Sequence, residues 1–183
     1  MTERYQQIQT AAGNILVEEG YRGFTTKKLA QKAEVSEGLI FKYFGSIETL
    51  FQTIVDQSLR TIFAVETNSF SGDRKKKLIL ALSSFLSKIS EHDSAFQLYV
   101  ATQNERPDIL SALDFSVEKS SLYRFIHKNV TEEIGDQIEA DELIMDIIFG
   151  TLFRTLQRTS GERTIQPASY ATLLIHILFN GLK

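Results

Sequence analysis

A chain of 183 residues, 43% of them hydrophobic, is long enough to bury a large core, either as one domain or as a small domain joined to a larger one. A formal net charge of −3 argues against indiscriminate nucleic-acid binding, and the absence of Cys excludes a disulfide framework and a thiolate metal site. The N-terminus lacks an apolar signal core and no run reaches the roughly 18 apolar residues of a membrane span, so a soluble, cytoplasmic protein without a membrane partner is expected.

Helical periodicity runs through the whole chain, only Pro107 and Pro167 interrupt it, and strand-like alternation is absent. Tyr5, Ile8, Ala12, Ile15 and Leu16 form one apolar stripe that should end near Gly20. Two short helices follow. Thr26 is placed to cap one that turns Leu29, Ala30 and Ala33 inward, and Ser36 to cap another that turns Ile40 and Phe44 inward. Only Glu34 and Val35 remain between them, so the two must cross steeply, which is the geometry of a DNA-reading helix-turn-helix with the second helix as reader.

Further along, a longer helix is expected over 46–68, carrying Leu50, Phe51, Ile54, Ile62 and Phe63, and another from Asp73 through Leu78, Leu82, Phe85, Leu86 and Ile89. A shorter helix over 94–104 precedes Pro107, which suits the start of a helix running to about Val130. The polar stretch 131–141 reads as a connection, followed by helices over 141–159 and 167–182. Both last helices are apolar on more than one side and therefore need burial on more than one side. Gly150, in the middle of the first, costs about 1 kcal/mol against Ala, which close approach of a partner helix could offset. Ile147, Gly150, Leu174 and Leu178 are the interface candidates; an internal helix pair is the plainer alternative.

The segment 25–50 resembles the start of the TetR (tetracycline-repressor-like) family of bacterial transcription regulators. Gly20 and Tyr21, Thr25 and Thr26, Leu29 and Ala30, Val35 and Ser36, Gly38, Ile40, Phe44, Ser46, Glu48 and Leu50 follow that family's pattern in order and spacing. Three positions depart from it: Glu34 stands where the family has the turn Gly, Phe41 where it has Tyr, and Ile47 where it has Lys. The last two replacements remove two contacts to the DNA backbone.

The resemblance implies an all-α protein with a three-helix DNA-binding domain over 1–48 and a larger ligand-binding and dimerisation domain over 49–183. It implies a homodimer on a palindromic operator in double-stranded DNA, released by a small-molecule effector, with the helix from residue 46 as lever. Residues 1–50 hold six basic and six acidic side chains, so any DNA site is a local face.

On that face Thr26, Lys27 and Ser36 are expected at the phosphate backbone, with the amides of Glu37 and Gly38 at a positive helix end. Leu39 and Lys42 are expected in the groove, beside Phe41 and Tyr43. Thirteen Phe and six Tyr supply aromatic surface for a pocket. On the helices the family uses as pocket walls lie Phe63, Phe85, Phe96, Tyr99, Tyr123 and Phe149, with His127 and Arg154 as polar anchors; core packing and solvent exposure are their plainer fates.

An enzyme is the competitor from another class. No catalytic residue, cofactor or metal site is indicated: none of His92, His127 and His176 has a Glu three residues before it, and no His-Glu-x-x-His, phosphate-binding Gly-rich loop or Gly-x-Ser-x-Gly elbow occurs. A helical ligand-binding protein with a weakened DNA face is the third reading, kept open by Phe41 and Ile47.

Overall fold

The computed structural model describes residues 3–134 and 166–180, together with Glu142, Asp146 and Gly150; these three are helical. Among the described residues the chain is all-helical. In order the elements are α1 (Glu3–Gly23), α2 (Thr26–Lys32), α3 (Glu37–Phe44), α4 (Ile47–Phe63), α5 (Arg74–Glu91), α6 (Asp93–Glu105), α7 (Pro107–Ser111), a 3₁₀ turn (Val117–Lys119), α8 (Ser121–Ile134) and α9 (Pro167–Asn180). The chain closes into two compact units, Met1–Ile62 with His92–Ser116, and Phe63–Glu91 with Val117–Lys183.

In the first unit α1 buries Ile8, Ala12, Ile15 and Leu16, spaced three and four apart as a helix facing a core requires. It packs on α2 and α6, and α6 packs on α7. The stripe predicted to stop at Gly20 instead bends there: Gly20 takes φ 69°, ψ −178°, and one more turn carries the chain to Gly23. The bend frees the Tyr21 amide, which donates to Glu105 Oε2 at 3.3 Å, and a Cβ on Gly20 would lie 2.9 Å from Glu105 Oε1. The left-handed backbone calls for glycine here.

Around that bend Tyr21 sets its ring edge-on to Phe51 at 5.0 Å and lies under the Arg106 guanidinium at 5.9 Å. Burial pushes its hydroxyl above the ordinary tyrosine value. Arg106 in turn grips Asp108 through two nitrogens, at 2.9 Å and 2.7 Å, which raises the guanidinium and lowers the carboxyl.

Three expected boundaries move. The cap of α2 is Thr25 rather than Thr26: Thr25 is extended (φ −139°, ψ 148°) and its hydroxyl accepts from the Lys28 amide at 3.2 Å. The long helix from residue 46 stops at Phe63 instead of Asn68, because Val65 turns inward and its amide bonds to the Phe63 carbonyl at 2.9 Å, a three-residue turn that an α-helix cannot contain. The single helix expected over 107–130 is two. Ser120 is the break: its hydroxyl donates to the Val117 carbonyl at 2.6 Å and accepts from the Tyr123 amide at 3.1 Å, so it closes one turn and caps α8. Helix α8 then runs on to Ile134, into the stretch predicted as a connection.

In the second unit α5 packs on α8 and α9. Asp73 caps α5, accepting from the Lys76 amide at 2.8 Å. Arg74 reaches Glu132 on α8 at 3.2 Å, and the Lys75 ammonium sits 5.8 Å over the Phe179 ring on α9. Phe63 and Phe85 meet at 5.0 Å, both fully buried, and belong to the core of this unit.

Candidate nucleic-acid interface

The helix-turn-helix is built from caps. Helix α2 ends at Ala33, and Glu34 then takes φ 51°, the left-handed conformation that the tight turn demands and that glycine adopts at least cost. The turn is therefore kept with a non-glycine residue in it. Ser36, extended at φ −80°, ψ 150°, accepts from the Leu39 amide at 3.3 Å and starts the reader helix α3. Gly45, at φ 74°, stops α3, its amide donating to the Phe41 carbonyl at 2.8 Å. Ser46 caps α4 immediately afterwards, accepting from the Thr49 amide at 3.0 Å.

Helix α3 is fixed from beneath by Ile40 and Phe44, both buried, with Tyr5 of α1 stacked on Phe44 at 4.7 Å. A residue two positions from either of these points the other way, as Gly38 and Lys42 do. Glu37, Gly38, Phe41 and Lys42 are exposed, Phe41 at 44% being an unusually open aromatic ring. Leu39 and Tyr43 are half-buried; Tyr43 lies edge-on to Tyr5 at 5.9 Å, which holds its ring at the border of the face. The amides at the start of α3 point out of a helix end, where an anion is favoured.

Charge on this surface is rationed by ion pairs. Lys28 bonds to Glu19 and Lys32 to Glu18, the latter at 2.6 Å, so these two lysines tie α2 back to α1. Lys27 and Lys42 have no such pair among the described residues and stay available for an outside anion. Thr26 is engaged: its hydroxyl donates to Glu37 Oε2 at 2.7 Å and ties the start of α2 to the start of α3. Ile47, the first residue of α4, is half-buried.

The residues expected in a ligand pocket fall in both units. Phe96 (buried) and Tyr99 (half-buried) belong to the first, and Phe63, Phe85, Tyr123 and His127 to the second, where Tyr123 and His127 stack at 6.0 Å with both rings half-buried. Phe149 and Arg154 lie outside the described residues, as does Ile147 of the expected interface. Gly150 is exposed, and a Cβ there would meet no atom within 4 Å. Leu174 and Leu178 turn into the second unit, whereas Leu173 and Ile177 on the same helix stand 57% exposed.

One feature was missed in the sequence: a polar groove of about 570 Å³ between α1, α4 and α6 in the first unit. The signal was present as Gln6, Gln9, Thr10 and Gly13, a second stripe at helical spacing beside the apolar one on α1. Among the described residues no group of His, Asp or Glu could hold a metal ion, and no helix is long and apolar enough to cross a membrane.

Residues 8–54 match the family model for bacterial regulatory proteins of the tetR family. Over 167 residues the chain is 27% identical to the uncharacterized HTH-type transcriptional regulator YvkB of Bacillus subtilis (strain 168), covering 87% of this chain and 86% of that protein. Its fold matches a TetR-like transcriptional regulator from Rhodococcus sp. RHA1 with a TM-score of 0.71 at 23% identity, over 98% of this chain and 95% of the other. It also matches the transcriptional regulator FadR from Bacillus subtilis, crystallised in complex with stearoyl-CoA, with a TM-score of 0.68 at 19% identity, over 98% and 100% of the two chains. The capped helix-turn-helix and its exposed reader face lie inside residues 8–54, the part of the chain that matches the tetR family of bacterial regulatory proteins.

Proposed function

We propose that the protein is a ligand-responsive transcription regulator that binds a near-palindromic operator as a homodimer and is released from it by a small molecule. The observation that carries the reading is the outward face of α3, where Gly38, Phe41 and Lys42 stand exposed on a helix whose other face is locked by Ile40 and Phe44. Residues 1–48 supply the DNA-binding face: Lys27, Ser36 and the amides of Glu37 and Gly38 at phosphates, Leu39, Phe41, Lys42 and Tyr43 toward the major groove, with Thr26 positioning Glu37 rather than meeting DNA itself.

Residues 49–183 supply the ligand and dimer functions. The complex of FadR with stearoyl-CoA, a protein of the same fold, supports a small-molecule effector. The exposed pair Leu173 and Ile177, one turn apart on α9, supports a partner helix on that side. Two readers must sit ~34 Å apart to enter successive major grooves, so a ligand that prefers a different separation lowers DNA affinity by its differential affinity for the two states.

A mobility-shift and footprinting experiment on the DNA upstream of the protein's own gene tests this. A two-fold symmetric footprint, lost in Lys42→Ala with the helical content unchanged, is expected. An asymmetric site bound by a monomer would remove the dimer model.

A further inference from the structure

The groove between α1, α4 and α6 takes no part in the reading above, and its chemistry is distinctive. Gln9 in its wall is only 9% exposed, yet its carboxamide makes one hydrogen bond, Nε2 to Gln57 Oε1 at 3.2 Å. Its other carboxamide functions have no partner among the described residues. Whichever way the amide is turned, an acceptor and a donor are left over on a side chain that lines the groove. A buried carboxamide half-satisfied in this way is costly unless something else completes it.

The rest of the lining narrows what that can be. No Asp, Glu, Lys or Arg borders the groove, and His92 is its one titratable group, so a charged ligand would leave water without a counter-charge. An apolar ligand would leave Gln9, Asn14, Gln57 and Ser94 facing carbon. Ile54 and Leu98 provide an apolar strip, and Gly13 and Ala95 leave room beside it, which suits the C–H face of a saturated ring. The volume lies in the range of small-molecule sites.

We propose that this groove binds an uncharged, hydroxyl-rich small molecule of the sugar or polyol class, held by Gln9 and Gln57 across α1 and α4. An occupant bridges three helices of the first unit and stabilises them together, independently of whether the protein also binds DNA.

The test is thermal unfolding of the full chain with glucose, maltose and ribitol, and with glucose 6-phosphate and adenosine as controls. At about ten times a millimolar Kd, mass action gives a rise in melting temperature of about 3–6 °C, at concentrations far below those at which sugars act as excluded osmolytes. Gln57→Ala, at an exposed position that leaves the core intact, should weaken binding by about three- to tenfold, and Gln9→Leu by at least as much. No response to any of the three neutral compounds overturns the proposal. So does an equal response in wild type and Gln57→Ala, which would put the sugar elsewhere, or tighter binding of glucose 6-phosphate than of glucose.

Discussion

The Tyr21 hydroxyl lies 2.7 Å from Thr102 Oγ1, and Thr102 spends its own proton on the Leu98 carbonyl at 2.7 Å, so tyrosine is the donor and threonine the relay. This chain of two hydrogen bonds joins the end of α1 to the middle of α6 next to the Gly20 bend. Thr102 is fully buried, which makes the two ends of the Tyr21–Thr102 bond unequal. Tyr21→Phe removes a donor and leaves the Thr102 bond to Leu98 in place, and should cost about 1 kcal/mol. Thr102→Val strands a largely buried hydroxyl and should cost about 1–3 kcal/mol. Urea denaturation midpoints of the two variants and of the double variant measure this. Equal single costs would contradict the asymmetry, and additive ones would show that the two side chains do not act as a pair.

The same site sets a pH dependence. Tyr21 has its pKa raised above 10.0 by burial, so the folded state holds that proton more tightly than the unfolded chain. Its contribution to stability is complete below 10.0 and is lost as pH rises from there through the raised value. At the acid end, the Arg106 guanidinium holds Asp108 below 3.8; that contribution is present above 3.8 and lost as pH falls through the depressed value. Asp108 is exposed, so the acid effect should shrink with added salt while the alkaline one should not. Chemical denaturation across pH, with Tyr21→Phe and Asp108→Asn as controls, reads both limbs.

Glu34 carries left-handed strain in the turn. Glu34→Gly relieves about 1–2 kcal/mol of steric cost and gives back about 0.5–1 kcal/mol in chain entropy, for a net gain of up to about 1 kcal/mol. The melting temperature should rise by about 2–4 °C. A fall would mean that the Glu34 side chain makes a contribution that its backbone geometry conceals.

Ile47 stands at the start of α4, beside the end of the reader. Ile47→Lys should add one phosphate contact per subunit and steepen log affinity against log salt by about 0.9, or about 1.8 for a dimer, on specific and non-specific DNA alike. Because Ile47 is half-buried, thermal stability must be measured beside the slope. A stable variant with an unchanged slope would show that this helix start does not meet DNA.

Leu173→Ser with Ile177→Ser tests the outer side of α9. Both side chains are exposed, so the isolated chain should keep its fold, while a dimer that uses this face should dissociate and lose specific DNA binding together. Sedimentation equilibrium before and after substitution gives the answer. An intact dimer would move the interface elsewhere.

Ser36, Ile40 and Phe44 were readable as cap and anchor because helix caps and inward stripes are local signals, three and four residues apart. Other features depend on partners far along the chain. Thr25 rather than Thr26 caps α2, since which hydroxyl reaches the Lys28 amide depends on where the chain leaves α1. The division of the expected 107–130 helix hangs on Ser120 reaching two backbone groups at once, which no periodicity reports. Gln9 is the sharpest case: its partner Gln57 lies 48 residues away, and only their meeting turns a polar stripe into a wall.

Helix α6 completes the packing unit that contains α1 to α3, with Phe96 and Leu98 buried and Thr102 bonded to Tyr21. During synthesis the reader therefore emerges well before the helices that finish its support. Between Ile62 and Ser116, the ends of the two stretches of that unit, a ribosome working at about 5–20 residues per second takes roughly 3–11 s. In that interval the nascent first unit lacks the docking surface of α6, and its Tyr21 hydroxyl has no Thr102 to meet. The Gly20 bend, whose Tyr21 amide bonds to Glu105 and whose Tyr21 hydroxyl bonds to Thr102, therefore closes only after α6 has been made.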